Sequence, residues 1–166
     1  MVSISSVLWD TYTEFADFFI DDNHIGKSCT LVYPPLREAC SNCVINPVSG
    51  GSLNIYRHGG PAPFNMTACP MCGGNGYRET ETTATIRLRV YYNRRDWNRI
   101  VGNIQMPDAT AMVIGYLTDL NKLRQATEIR LVNEQSQNEW VMALAGEPFL
   151  HGFGKNRYFI AYLKRV

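Results

Sequence analysis

Apolar residues recur along the chain with two different periods. From Val7 to Ile20 the spacing is helical. Leu8, Tyr12, Phe15 and Phe19 follow one another at intervals of four, three and four, and Val7, Phe18 and Ile20 widen the stripe. Ser5 or Ser6 can cap this helix, and Asp21-Asp22-Asn23 ends it. A short helix with so many aromatics must be covered by the rest of the domain or by a neighbouring subunit. Cys29-Thr-Leu-Val-Tyr33 is β-branched and apolar and reads as a strand stopped by Pro34-Pro35. Thr82 to Tyr92 alternates. Ile86, Leu88 and Val90 face one way; Arg87, Arg89 and Tyr91 face the other.

Further strands are expected at Trp97–Gln105, Ala111–Tyr116, Glu128–Val132, Trp140–Leu144 and Tyr158–Leu163. Thr118 to Ala126 reads as one or two helical turns capped by Thr118. About six or seven short strands separated by turn residues predict a mainly β fold, a small β-barrel or sandwich preceded by an amphipathic helix.

Residues 36–78 break both periods. They carry Cys40, Cys43, Cys69 and Cys72, with Pro47, Pro61, Pro63 and Pro70, and glycines at 50, 51, 59, 60, 73, 74 and 76. Such a stretch has too little apolar patterning to build its own core, so a bound metal is the natural organiser. The expected organisation is therefore a helical segment over 1–26, a β domain over 27–35 and 79–166, and an inserted zinc-ribbon-like subdomain over 36–78.

Composition narrows the classes. With 166 residues and an ordinary apolar share, the chain can bury one core. Lys and Arg total 16 against 15 Asp and Glu, a net charge of +1, so overall charge makes no case for a nucleic-acid or membrane partner. No apolar run is long enough for a transmembrane helix. The first residues lack a basic segment and include Asp10 and Glu14, unlike a secretory signal. Five cysteines, an odd number in a chain without such a signal, point to a reducing compartment and a metal rather than a disulfide framework.

Cys40-Ser-Asn-Cys43 and Cys69-Pro-Met-Cys72 are both C-x2-C knuckles. Each puts two sulfurs on one tight turn, and two knuckles close a tetrahedron round one zinc ion per chain. The long segment between them is tolerated, because loop-closure entropy grows slowly with length. Gly73 or Gly74 can take positive φ and turn the chain round the metal. Four thiolates leave no open coordination position, so the expected metal is structural and the chain is not expected to be an enzyme. Cys29 stands apart as a buried apolar residue. His58 lies between the knuckles as a substitute ligand, and His24 and His151 read as surface or turn residues.

No nucleophile elbow, P-loop or H-E-x-x-H is present. Gly73-Gly74-Asn75-Gly76 follows a knuckle rather than a strand, which disfavours phosphate binding. Arg87, Arg89, Arg94, Arg95 and Arg99 form the one basic cluster, either a solvated or intersubunit face or a surface for DNA.

The runs Cys29-Thr-Leu-Val-Tyr-Pro-Pro35, Cys40-x2-Cys43, Gly59-Gly-Pro-Ala-Pro-Phe64, Cys69-Pro-Met-Cys72-Gly-Gly-Asn-Gly76 and Thr85-Ile-Arg-Leu-Arg-Val-Tyr91 resemble neck proteins of tailed bacteriophages that carry a cysteine-rich insert in a β domain. The segment Ile104 to Gly115, followed by Asp119-Leu120, resembles the β-barrel part of head-closure (stopper or adaptor) proteins. Together these span roughly residues 27–130. The phrase Cys-Pro-x-Cys-x-Gly-x-Gly also resembles chaperone zinc domains, but those carry four repeats and this chain has one full copy and one partial.

The neck resemblance implies a virion protein made in the host cytoplasm. It would form a homo-oligomeric ring between portal or adaptor and tail proteins, around the channel for packaged DNA. Each subunit of such a ring contacts two neighbours through a heterologous interface. Trp9, Tyr12, Phe15 and Phe19, with Trp97 and Trp140, are the expected interface anchors. The alternatives are another tail component (terminator, baseplate or tail-initiator subunit) or a zinc-dependent nucleic-acid-binding module.

Overall fold

A computed structural model describes residues 6–22, 25–101, 109–132, 138–151 and 157–166, apart from the side chains of 6–9 and 98. The fold is mainly β, with an N-terminal helix, a seven-stranded sheet and a cluster of four cysteines. The chain divides into two compact units. One comprises residues up to Tyr33 together with Thr83–Val166; the other is Pro34–Thr82.

The first unit is built on β1 (Gly26–Ala39), β4 (Tyr77–Tyr91), β5 (Ala111–Tyr116), β6 (Glu128–Val132), β7 (Glu139–Leu144), β8 (Phe149–His151) and β9 (Tyr158–Arg165). The strand order is β5-β4-β1-β6-β7-β9-β8, and β5 also pairs antiparallel with β9. That extra pairing closes six strands into a barrel, which removes the free edges of an open sheet. Along one edge of β9, Leu163–Arg165 pair with β7 and Tyr158–Ile160 pair with β8.

Alternation fills the barrel. Leu31, Leu88, Ile129, Leu131, Met142 and Phe159 form its core, and all are buried. The central strands β5 and β9 are covered on both faces. Val113 and Ala161 point to this core, while Met112, Ile160 and Tyr162 pack outside it with Trp97. Two-sided burial explains why these strands read as continuous apolar runs.

Trp97 corrects two expectations. The expected strand at Trp97–Gln105 is instead helix α2 (Arg94–Val101), and the remainder of that segment, 102–105, lies outside the described residues. Asn93 starts the helix: its side-chain oxygen accepts from the Arg95 amide at 3.0 Å and its carbonyl from Asp96 at 3.0 Å. Trp97, Ile100 and Val101 then fall on one helical face against Met112 and Ile160. Trp97 is fully buried and its indole N–H donates to the Tyr91 carbonyl at 2.9 Å, so it is a core residue, not an interface anchor.

Helix α1 (Ser6–Asp21) belongs to the same unit as the barrel. Among its described side chains Thr13 and Ile20 are buried and Tyr12, Ala16, Asp17 and Phe19 half-buried, while Phe15 and Phe18 are exposed at 61% and 53%. Polar contacts set this docking. The Tyr158 hydroxyl donates to Asp17 at 2.7 Å, the Tyr116 hydroxyl to Asp21 at 2.8 Å, and Arg157 meets Asp17 at 3.4 Å. The aromatic stripe is therefore only partly turned inward.

After a 3-10 turn at Leu117–Asp119, helix α3 (Leu120–Gln125) sends Leu120 and Leu123 into the barrel core. The expected cap, Thr118, sits inside the turn. Asp119 starts α3 without a side-chain cap, and its carboxylate takes the Lys122 ammonium at 2.7 Å.

The second unit holds the continuation of β1, the hairpin β2 (Cys43–Ile45) and β3 (Ser52–Tyr56), and the beginning of β4. Pro34-Pro35 does not stop β1, which runs on to Ala39 with exposed side chains. Proline's fixed φ suits an extended chain, and only its missing N–H is lost to pairing. The buried residues here are the four cysteines, Asn42 and Gly76, with Phe64 and Met71 packed against the sulfurs.

Candidate metal centre

Cys40 lies just beyond β1 and Cys43 opens β2, while Cys69 and Cys72 sit on the turn between β3 and β4. Backbone bonds lock the two knuckles. The Cys40 amide donates to the Gly76 carbonyl at 2.9 Å, Gly73 to Cys69 at 2.8 Å and Asn75 to Cys72 at 3.0 Å. Gly73, Gly74 and Gly76 all have positive φ. At Gly76 (φ +82°) a Cβ would also fall 2.4 Å from the Gly50 carbonyl oxygen, so only glycine passes there.

All four sulfurs lie within 4.8 Å of one another and the residues are buried. The Cys40–Cys69 and Cys43–Cys72 sulfurs are 3.9 and 3.7 Å apart. A Zn–S bond of ~2.3 Å sets a tetrahedral edge of ~3.8 Å, so the donor set has the dimensions and chemistry of a four-thiolate metal site. These four cysteines can hold a metal ion.

The surroundings favour charge on one sulfur of the set, that of Cys69. Burial pushes the Cys69 thiol up, but the Asn42 side chain, the Met71 and Cys72 amides and the Cys72 thiol outweigh it and hold the group down at about 6. Cys43 goes the other way: burial, reinforced by the neighbouring cysteines against a bond from Ser52, pushes it up to about 12. The Gly76 amide donates to the Cys72 sulfur at 3.3 Å. A cation would draw the remaining protons off the set.

Other expected site residues fall elsewhere. His58 is exposed and outside the sulfur cluster, and His24 lies outside the described residues. Cys29 is in the barrel core, where burial raises its thiol to about 12. His151 is half-buried on β8, and burial lowers its pKa. With Phe19, Arg89 and Tyr91, His151 lines an apolar cavity of about 290 Å³ beneath α1.

The five arginines do not form one basic face. Arg87 donates to the carbonyls of Ile20 (3.2 Å) and Asp22 (3.0 Å), and Arg89 donates to Ile25 at 2.9 Å. These two side chains satisfy carbonyls at and after the end of α1, where a helix needs donors and its dipole favours cations. Arg94 reaches the Ala109 carbonyl at 3.4 Å and lies over Trp97, whereas Arg95 and Arg99 are exposed, the latter 3.8 Å from Asp96.

Among the expected anchors, Tyr12 and Phe19 are half-buried, Phe15 is exposed, and the Trp9 side chain lies outside the described residues. Trp140 is half-buried between Tyr92 and Arg165. No described helix is long and apolar enough to cross a membrane. Comparisons with protein-family models, curated proteins and solved structures found no match to the chain.

Proposed function

We propose that the chain is a non-enzymatic assembly subunit of a tailed-bacteriophage virion, part of the neck ring between head and tail, with one structural zinc ion at Cys40, Cys43, Cys69 and Cys72. The observation that carries the metal is the buried cluster of four sulfurs, and four thiolates round one ion would leave no position for substrate. Zinc is the metal whose geometry and thiolate preference suit this set.

The assembly role is supported by the resemblance over residues 27–130 and by uncovered apolar side chains on each unit. Phe15 and Phe18 are exposed on α1; Val44, Leu53 and Ile55 are exposed on the β2–β3 hairpin. A heterologous ring contact needs two different patches on every subunit, and the chain has one on each unit. Another tail component would use the same surfaces, and position relative to the portal separates the two readings. A nucleic-acid module is less well supported, because Arg87 and Arg89 are engaged with main-chain carbonyls.

Two measurements test the reading. Elemental analysis of the purified chain should find about one zinc per chain. Electron microscopy of the chain mixed with its portal and tail partners should show closed rings. A protein that stays monomeric and unattached in that mixture would refute the assembly role.

A further inference from the structure

Asn42, inside the first knuckle, is fully buried yet polar. Its side chain has no path to water, so each of its hydrogen-bonding groups must find a protein partner. The carboxamide oxygen accepts from the Ala62 amide at 2.8 Å, and the carboxamide nitrogen donates to the Ala62 carbonyl at 2.8 Å. This pair fixes which way the amide points. Turned over, it would set donor against donor and acceptor against acceptor. One N–H then remains, and the Cys69 sulfur lies 3.5 Å from that nitrogen.

The backbone of Asn42 holds the same loop. Its carbonyl accepts from Arg57 at 3.0 Å, and the Gly60 amide donates back to Arg57 at 2.8 Å. The Tyr56 hydroxyl closes the turn on the Gly60 carbonyl at 2.8 Å. The loop crosses so near that a Cβ on Gly60 would fall 2.7 Å from the Asn42 side-chain oxygen and 2.9 Å from its Cα. One buried amide thus touches a metal-ligating sulfur on one side and a surface loop carrying the exposed Arg57 and His58 on the other.

We propose that Asn42 is the positioning residue of the metal centre, holding the Arg57–Ala62 loop and the Cys69 sulfur in one fixed arrangement, so that metal occupancy orders that loop. The proposal rests on the metal reading above. A thiolate bound to a metal is a better acceptor than a thiol, and outer-shell donors of this kind orient the ligand and tune its bond. The loop is the exposed end of the linkage. A partner that recognises Arg57 and His58 would therefore meet an ordered surface in the loaded protein and a loosened one in the metal-free protein.

The test uses the full chain and Co(II), whose thiolate charge-transfer band reports the sulfur directly. Asn42→Asp keeps an oxygen for the Ala62 amide and removes both N–H donors. It should weaken Co(II) binding about 10- to 100-fold and shift the charge-transfer band. Ser41→Ala, at the exposed neighbour, should do neither. Affinity within twofold of the parent with an unchanged band in Asn42→Asp would overturn the proposal. An unaltered chain that takes up no Co(II) or zinc would instead refute the metal reading itself. Hydrogen exchange on the unaltered chain gives a check independent of any variant. The Ala62 amide should exchange at least tenfold more slowly with metal than without, and equal rates would overturn the coupling of metal to loop.

Discussion

Replacing Cys72 with serine should release the second unit and spare the first. Residues Pro34–Thr82 bury four cysteines and Asn42, and only the half-buried Phe64 and Met71 pack against the sulfur cluster. Two such side chains contribute at most ~2–3 kcal/mol each even when fully covered. A structural zinc site contributes ~10–16 kcal/mol, far more than this unit can draw from burial. Shared equally over four sulfurs, one ligand corresponds to ~2.5–4 kcal/mol, or roughly a 10²- to 10³-fold loss of zinc affinity. The barrel has its own core of Leu31, Leu88, Ile129, Leu131, Met142 and Phe159 and should be little affected. Hydrogen exchange by mass spectrometry, run with a competing chelator, checks both parts. Peptides from 36–78 should lose protection in Cys72→Ser and in the chelated parent, while peptides from β5, β6 and β9 keep theirs. If the second unit stayed protected without metal, the claim that it lacks an adequate core would fail. If the barrel unfolded with it, their independence would fail.

Other perturbations probe the first unit. Arg87→Ala leaves the Ile20 and Asp22 carbonyls short of a charged donor and should cost about 1–3 kcal/mol, seen as faster amide exchange along α1 before any change in the barrel. Trp97→Ala empties a fully buried site and breaks the bond to the Tyr91 carbonyl; a loss of about 3–5 kcal/mol in denaturant unfolding is expected, whereas an exposed anchor would show almost none. Tyr116 and Tyr158 have raised pKa values, first from burial and then from their bonds to Asp21 and Asp17. The unfolded chain therefore gives up these protons first, and stability should fall as pH rises above about 10.0, the ordinary tyrosine value. Denaturation midpoints between neutral pH and pH 11 should show that fall, and Tyr158→Phe should flatten it.

The barrel was legible where strands are long and one-sided. Thr82–Tyr92 shows its alternation openly, and β5 and β9 announce themselves as apolar runs because both of their faces are covered. Helix α2 escaped because its apolar positions are few and β-prone; the informative signal was Asn93 as a cap before Trp97, Ile100 and Val101. β2 and β3 have no readable period, since the sulfur cluster and positive-φ turns shape them instead of a sheet core. The cysteines were legible because thiolate chemistry fixes their spacing locally. The partners of Asn42 and Arg87 were not: Ala62 and Ile20 are brought to them only by the tertiary fold. Pattern alone placed Arg87 and Arg89 on one strand face, but it could not say that a helix end would cover that face.

The pairing of β9 with both β5 and β7 bears on the order in which a growing chain can fold. All four sulfurs have left the ribosome once residue 72 and a short stretch beyond it are clear, while the barrel cannot shut until Tyr158–Arg165 has been made. Domains fold as they emerge, and pairings between distant strands come late. Metal capture can therefore precede barrel closure during synthesis. The apolar barrel strands made earlier wait unpaired until β9 has emerged, so truncation within Tyr158–Arg165 should be far more damaging to solubility than the number of residues lost suggests.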